Sequence, residues 1–159
     1  MARVFYVTIE GSRQGKFKGE SVLPNAKGKI EGLTFSSDVS SPRDAATGQA
    51  SGKRIHSPIT FTKQWGAASP QLFQATVTNE VLKSVLFEFI GTDKAGKEQV
   101  FETVKLTNAT IADLRRTLDE HTPEGARGID QVSIVFQKIE ITDTNSKTTA
   151  SDDWQLSSR

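Results

Sequence analysis

The chain has 159 residues, 35% of them hydrophobic, with 20 basic side chains against 19 acidic ones and a formal charge of +1. That length fits one domain able to withdraw roughly two-thirds of its unfolded surface from water; the scattered, nearly balanced charge offers no basic face for a run of phosphates, so nucleic acid is not an expected partner. The absence of cysteine excludes disulfides, thiolate metal sites and a cysteine nucleophile, and no apolar run is long enough to span a bilayer, so membrane insertion is not expected.

Val4 to Ile9 alternates, with Phe5, Val7 and Ile9 on one face, and stops at Gly11, the pattern of a half-buried strand. The stretch Met1 to Glu10 meets a glutamate too early, and alternates too strictly, for a signal-peptide apolar region, so no signal peptide and no Sec-type export are expected. Residues 12–28 read as a polar connection. Ile30 to Val39 reads as one strand, with Leu33, Phe35, Ser37 and Val39 on its dry face and Gly32, Thr34, Ser36 and Asp38 on its wet one. Ser40 to Gly52 is rich in small and turn-forming residues and too long for an ordinary hairpin, a length that marks a functional or disordered loop.

Ile55 to Thr62 predicts a third strand, and Ser69-Pro70 then opens a helix over 69–77. Ser69 is placed to accept hydrogen bonds from the unpaired amides of the first turn, and Pro70 sits where a missing N–H and a fixed φ cost nothing. Val81 to Ile90 is the fourth strand, with Val85, Phe87 and Phe89 alternating; Asp93 to Gly96 is a hairpin turn, and Gln99 to Leu106 is its partner. Ile111, Leu114 and Leu118 have helical spacing, and propensity favours a helix over 110–120. Gly125 to Gly128 breaks the chain, and Gln131 to Ile141 is a long closing strand. The expected organisation is one domain over 1–141 and a polar C-terminal tail over 142–159. The expected fold is mainly β: an antiparallel barrel or sandwich with one short flanking helix, because closure removes exposed strand edges.

Candidates for bond chemistry are few. His56 beside the long loop and His121 in a polar stretch lie in no motif and read as solvent-exposed. Ser57 and Ser69 lie in no nucleophile-elbow pattern. Glu98 and Glu102 share a strand face about 13 Å apart, too far for paired-carboxylate hydrolysis. Asp152-Asp153, an acidic pair without further oxygen ligands, reads as solvated, and Gly48 to Lys53 lacks the spacing of a phosphate loop. No cofactor, metal or catalytic residue is expected. Trp65 either packs the helix onto the barrel or stacks on a ligand, with packing favoured. Trp154, without apolar company in sequence, indicates that the tail docks either on its own subunit or on a neighbour.

Five stretches together carry a family resemblance. They are Gly19-Glu20-Ser21, Gly28 to Ser36, Phe61-Thr-Lys63, Ala68-Ser-Pro-Gln-Leu72 and Asp130 to Glu140. In order and spacing they resemble the Hcp family, the tube-forming proteins of bacterial type VI secretion, a fold also similar to phage tail-tube proteins. Two features depart from that pattern: the acidic residue before the last strand is Asp130, and Leu114 to Gly128 is more charged and more helical in pattern than the family's serine- and glycine-rich counterpart.

The resemblance implies a β-barrel with a flanking helix and no bond chemistry, assembled into hexameric rings that stack head-to-tail into a hollow tube. Such a tube is sheathed in the bacterial cytoplasm, propelled out of the cell by sheath contraction and released outside or into a target cell. The implied partners are further copies of the chain, the contractile sheath, the spike, and secreted effectors carried in the lumen. Within that picture the ring-stacking candidates are Ser41, Pro42, Arg43, Asp44, Gly48, Gln49, Gly52 and Lys53, with Arg54 as a further source of polar pairs. Thr34 and Ser36 are candidates for the lumen wall, with ordinary outer surface as the other reading. Leu33, Phe35, Val85, Phe87, Phe89, Val135 and Ile139 are assigned to cores or buried interfaces. The alternative is a monomeric β-barrel that binds a small ligand inside, against which the bulky inward Phe and Leu residues argue.

Overall fold

The computed structural model describes residues 4–122, 124–125 and 127–154, so residues 1–3 and the expected tail beyond Trp154 lie outside it. β1 (Val4–Gly11) buries Phe5, Val7 and Ile9 as its alternation requires. The connection after it is less uniformly polar in role than in composition: it holds β2 (Gly15–Lys16), a 3-10 turn at Pro24–Ala26 and the fully packed Phe17.

The strand expected over Ile30 to Val39 is divided into β3 (Ile30–Gly32), β4 (Thr34–Ser36) and β5 (Val39–Ser40). β3 pairs with β1, whereas β4 pairs with β7 (Ile59–Gln64), so the chain changes neighbours at Leu33, whose amide bonds the Thr62 carbonyl oxygen at 2.8 Å. The change resets the alternation. Ile30 and Gly32 point inward before it and Phe35 is half-buried after it, which leaves Leu33 46% exposed on the single chain and outside its core. β6 (Ile55–His56) pairs only with β5, and Pro58, which cannot donate to a ladder, separates it from β7.

α1 (Ser69–Thr78) buries Leu72 and Ala75 and ends at Asn79 in the left-handed conformation, φ 55°. β8 (Leu82–Thr92) and β9 (Glu98–Thr117) form a hairpin through the Asp93 turn, where Gly96 supplies φ +84°. β9 overrides the helix expected over 110–120. Its residues Thr110 to Thr117 are laddered to β10 (Ile129–Asp143), with Ile111 opposite Ile134 and Asp113 opposite Ser133. Ala112 is therefore an extra residue in a bulge, and the bulge turns Ile111 and Leu114 toward the same core across a three-residue gap. The helical spacing in the sequence is the signature of that bulge, while Leu118, its third member, lies past the strand and is exposed.

A second irregularity takes Val135 out of the core of the single chain. Between Phe136 and Ile139, both buried, the strand changes phase opposite Leu106 and Ala109, also both buried, and Asn108 between these adopts φ 50°. Val135 therefore falls on the outer face, 40% exposed, although four residues separate it from the buried Ile139. β11 (Thr148–Asp153), in a stretch whose composition reads as tail, pairs with the second half of β10, as β7 pairs with the first half.

The main sheet runs β2-β1-β8-β9-β10-β7-β4 and is antiparallel throughout, so the fold is mainly β with one short helix, as the pattern predicts. The ladder does not close on itself. Its two ends are joined by the contiguous strands β3 and β4, one on β1 and one on β7. Inside, Phe61 and Phe87 meet edge to face at 5.4 Å, and Phe5, Phe35 and Phe89 extend the aromatic cluster. Val85 and Phe87 are fully buried. β5 and β6 stand outside this sheet as a two-stranded stalk.

Candidate assembly surface

Beyond the stalk, the segment 41–53 folds on its own. Asp44 organises it: its carboxylate accepts from the amides of Ala46 and Thr47 at 2.7 and 3.2 Å, its carbonyl from Gly48, and its amide donates to the Gln49 carbonyl. Arg43 bridges Ala50, and the Ser51 amide reaches the Pro42 carbonyl oxygen. Pro42, Arg43, Asp44, Gly48 and Gln49 are thus brought into one tight turn, with Ser41, Gly52 and Lys53 on its two arms. All are exposed except the half-buried Pro42. Below the turn the stalk holds two apolar side chains, Val39 and Ile55, more than half exposed.

The base of the stalk is tied to β11. The Arg54 guanidinium spans both carboxylate oxygens of Asp152, from Nε at 2.7 Å and Nη2 at 2.8 Å, and Nη2 also donates to the Asp153 carbonyl. His56 Nε2 lies 2.7 Å from the same Asp152 carboxylate, and its ring packs against Phe136 and Trp154. The hydrogen bonds from Arg54 first, then from His56, hold the Asp152 carboxyl down to about 2. His56 is therefore not the solvent-exposed residue expected, its side chain being 9% exposed, and Asp152 is a paired rather than a freely solvated acid. His121, in contrast, is exposed. Trp154 docks on its own subunit: its amide donates to the Gln137 carbonyl and its ring lies 5.3 Å from that of His56.

Thr34 and Ser36 are exposed on β4, opposite Thr62 and Thr60 of β7, and the hydroxyls of Thr34 and Thr62 are bonded at 2.7 Å. They form a small hydroxyl-bearing face.

The helix start has a different chemistry from the one expected. Ala68, not Ser69, occupies the capping position, and no side chain caps the first turn; Pro70 does sit within it. Ser69 Oγ instead accepts the Gly66 amide and donates to Asp130 Oδ2 at 2.6 Å. Asp130 is fully buried, accepts from Arg116 Nε at 2.9 Å, and lies 3.8 Å from the ammonium of Lys63, which is also fully buried. Burial lowers the Lys63 pKa and Arg116 lowers it further, while Glu20 and Asp130 act against them. The Arg116 guanidinium covers the Trp65 ring at 4.5 Å, and that ring fills the space a side chain on Gly128 would need. These residues lock β7, α1, β9 and β10 together.

Glu80, buried after α1, was not singled out by sequence. Its carboxylate accepts the amides of Arg13 and Gln14 at 2.9 and 2.8 Å and the Gln14 side chain at 3.0 Å. Burial raises its pKa, but those three bonds and the Arg13 charge outweigh burial and leave it lowered. A glutamate two positions past a helix, directly before Val81 and Leu82, is the one signal the sequence offered.

Fold and site together define a class: an antiparallel β protein whose prominent feature is a folded, exposed loop on a stalk, with its buried ions engaged in joining strands. The profile of the family described as "Type VI secretion system effector, Hcp" matches residues 6–142. The chain is 29% identical to the "Major exported protein" of Pseudomonas aeruginosa, over 98% of this chain and 97% of that one. A solved Hcp protein superposes with TM-score 0.87 at 27% identity, covering 96% of this chain and all of the other. Hcp1 from the Escherichia coli EAEC 042 pathovar, a double tryptophan variant, does so with TM-score 0.85 at 28% identity, covering 97% and 99%. The chain belongs to the Hcp family of type VI secretion tube proteins.

Proposed function

We propose that this chain is a structural subunit of the type VI secretion inner tube. Six copies form a ring, and rings stack head-to-tail into a hollow tube through the 41–53 segment. Sheath contraction propels the tube out of the bacterial cytoplasm, with effectors carried in the lumen beside Thr34 and Ser36. Sheath, spike and effectors of the same system are its partners. The observation that supports this reading best is the internally bonded turn around Asp44, held on a stalk outside the main sheet with its polar side chains exposed. A turn that keeps its shape through its own bonds is suited to meet another subunit, and a head-to-tail contact that does not close on itself repeats along an axis, as a stack of rings requires.

Light scattering of the purified chain, with negative-stain images of the same sample, tests the reading. A particle of six times 17.4 kDa with an open centre is expected. A monomer at high concentration would overturn it and return attention to ligand binding inside the barrel.

A further inference from the structure

The stalk that carries the 41–53 turn continues the β4–β7 pair past an interruption, where the Ser57 amide donates to the Asp38 carbonyl, but none of its own strands is laddered to a further strand of the main sheet. Among the described residues, the side-chain hydrogen bonds that tie it to the main sheet converge on one place, the Asp152 carboxylate and the adjoining Asp153 carbonyl of β11. We infer that Asp152 is a positioning residue: the C-terminal strand acts as a clasp that fixes the direction of the exposed turn, through Arg54 and His56. The functional meaning of this clasp rests on the stacking role proposed above.

The geometry favours rigidity over mere attachment. A guanidinium fork on a carboxylate fixes both distance and plane, and charge-assisted bonds of this kind are about twice as strong as neutral ones. His56 adds a third constraint on the same carboxylate, and its ring is held between Phe136 and Trp154, so the imidazole cannot swing away with the stalk. β11 is in turn laddered to β10 from Lys138 to Asp143, and Trp154 is bonded to Gln137. A rigid path therefore runs from the long strand β10 through β11 to the stalk. Beneath the stalk lies a mainly apolar cavity of about 200 Å³, bounded by Val39, Ile59, Phe136 and Ile139. Core packing thus leaves space under the stalk, and the clasp supplies the hold that packing does not.

The test is amide hydrogen exchange on the full chain, at a dilution where light scattering shows no stacks, for the parent, Arg54→Ala, Asp152→Ala and the double variant. Opening of 41–56 is expected to become about tenfold easier in Asp152→Ala, with β8 and β9 protected as in the parent, and the double variant is expected to be less loose than the two single effects summed, the Arg54 bond to the Asp153 carbonyl being the part that Asp152→Ala leaves. Exchange of 41–56 unchanged in the single variants, effects that add in the double variant, or loosening shared equally by β8 and β9 would each overturn the clasp. If the turn loosens as expected but ring stacking of the same variants is undiminished, the stacking role of the turn fails while the clasp stands.

Discussion

Phe5 occupies the space that a side chain at position 32 would need: a Cβ on Gly32 would lie 2.0 Å from Phe5 Cε2, directly across the β1–β3 pairing. The ring cannot retreat freely, because Phe35, Phe87 and Phe89 surround it at 5.3 to 6.3 Å. Gly32→Ala is therefore expected to cost about 1–3 kcal/mol. Urea denaturation should show a lower midpoint with an unchanged slope. An unaltered midpoint would mean that the cluster is loosely packed.

The alternation of β1 and β8 was legible because the register shifts in their ladders, at Glu10/Gly11 and Phe89/Ile90, fall at the ends of the core stretch. The correct inward residues Phe5, Val7, Val85 and Phe87 follow from period two alone. The sequence misled where the ladder is irregular. A change of partner at Leu33, a bulge at Ala112 and the kink at Asn108 each shift the phase by one, which exchanges the faces of every residue downstream. The exposed turn was legible as a loop from its small residues. Its tie to Asp152 was not, since 96 to 98 residues separate the partners and no local pattern links them.

Asp130 and Lys63 are both fully buried, yet their loss should not be equivalent. Asp130→Ala leaves the buried Lys63 ammonium with Glu20 and the Gln64 carbonyl and removes the shared acceptor of Arg116 and Ser69, so a loss of about 3–5 kcal/mol is expected, as for a broken buried pair. Lys63→Met leaves Asp130 with Arg116 and Ser69 and replaces a desolvated cation by an apolar chain of similar length, so its cost should be clearly smaller. Thermal unfolding of the two variants decides the matter. Equal costs would mean that Lys63 is the main partner of Asp130 despite the 3.8 Å separation.

Glu80 couples stability to pH. Its folded pKa lies below the ordinary 4.5, so the native state holds fewer protons than the unfolded chain in the acid range. The stability it contributes is fully present above its unfolded value and is lost as pH falls through the depressed folded value. Glu80→Gln should lower the urea midpoint at neutral pH and flatten its decline as pH falls below the ordinary 4.5. A decline as steep as the parent's would assign the acid sensitivity to other carboxylates.

The last prediction concerns the turn itself and separates its shape from its charge. Asp44 shapes the turn through the amides of Ala46 and Thr47, whereas Arg43 and Lys53 place exposed cations on it. Exposed charges act through screened, individually weak pairs. Arg43→Glu should therefore leave single rings intact and weaken their stacking, an effect that fades as salt rises because the parent's own stacking is screened as well. Asp44→Ala should weaken stacking at every salt concentration, because the turn loses its internal bonds rather than a charge partner. Sedimentation velocity from low to molar salt reads both outcomes. Stacks that persist unchanged to molar salt would rule out polar pairing in this turn as the source of ring-to-ring contact and move it to the exposed apolar residues of the stalk, Val39 and Ile55.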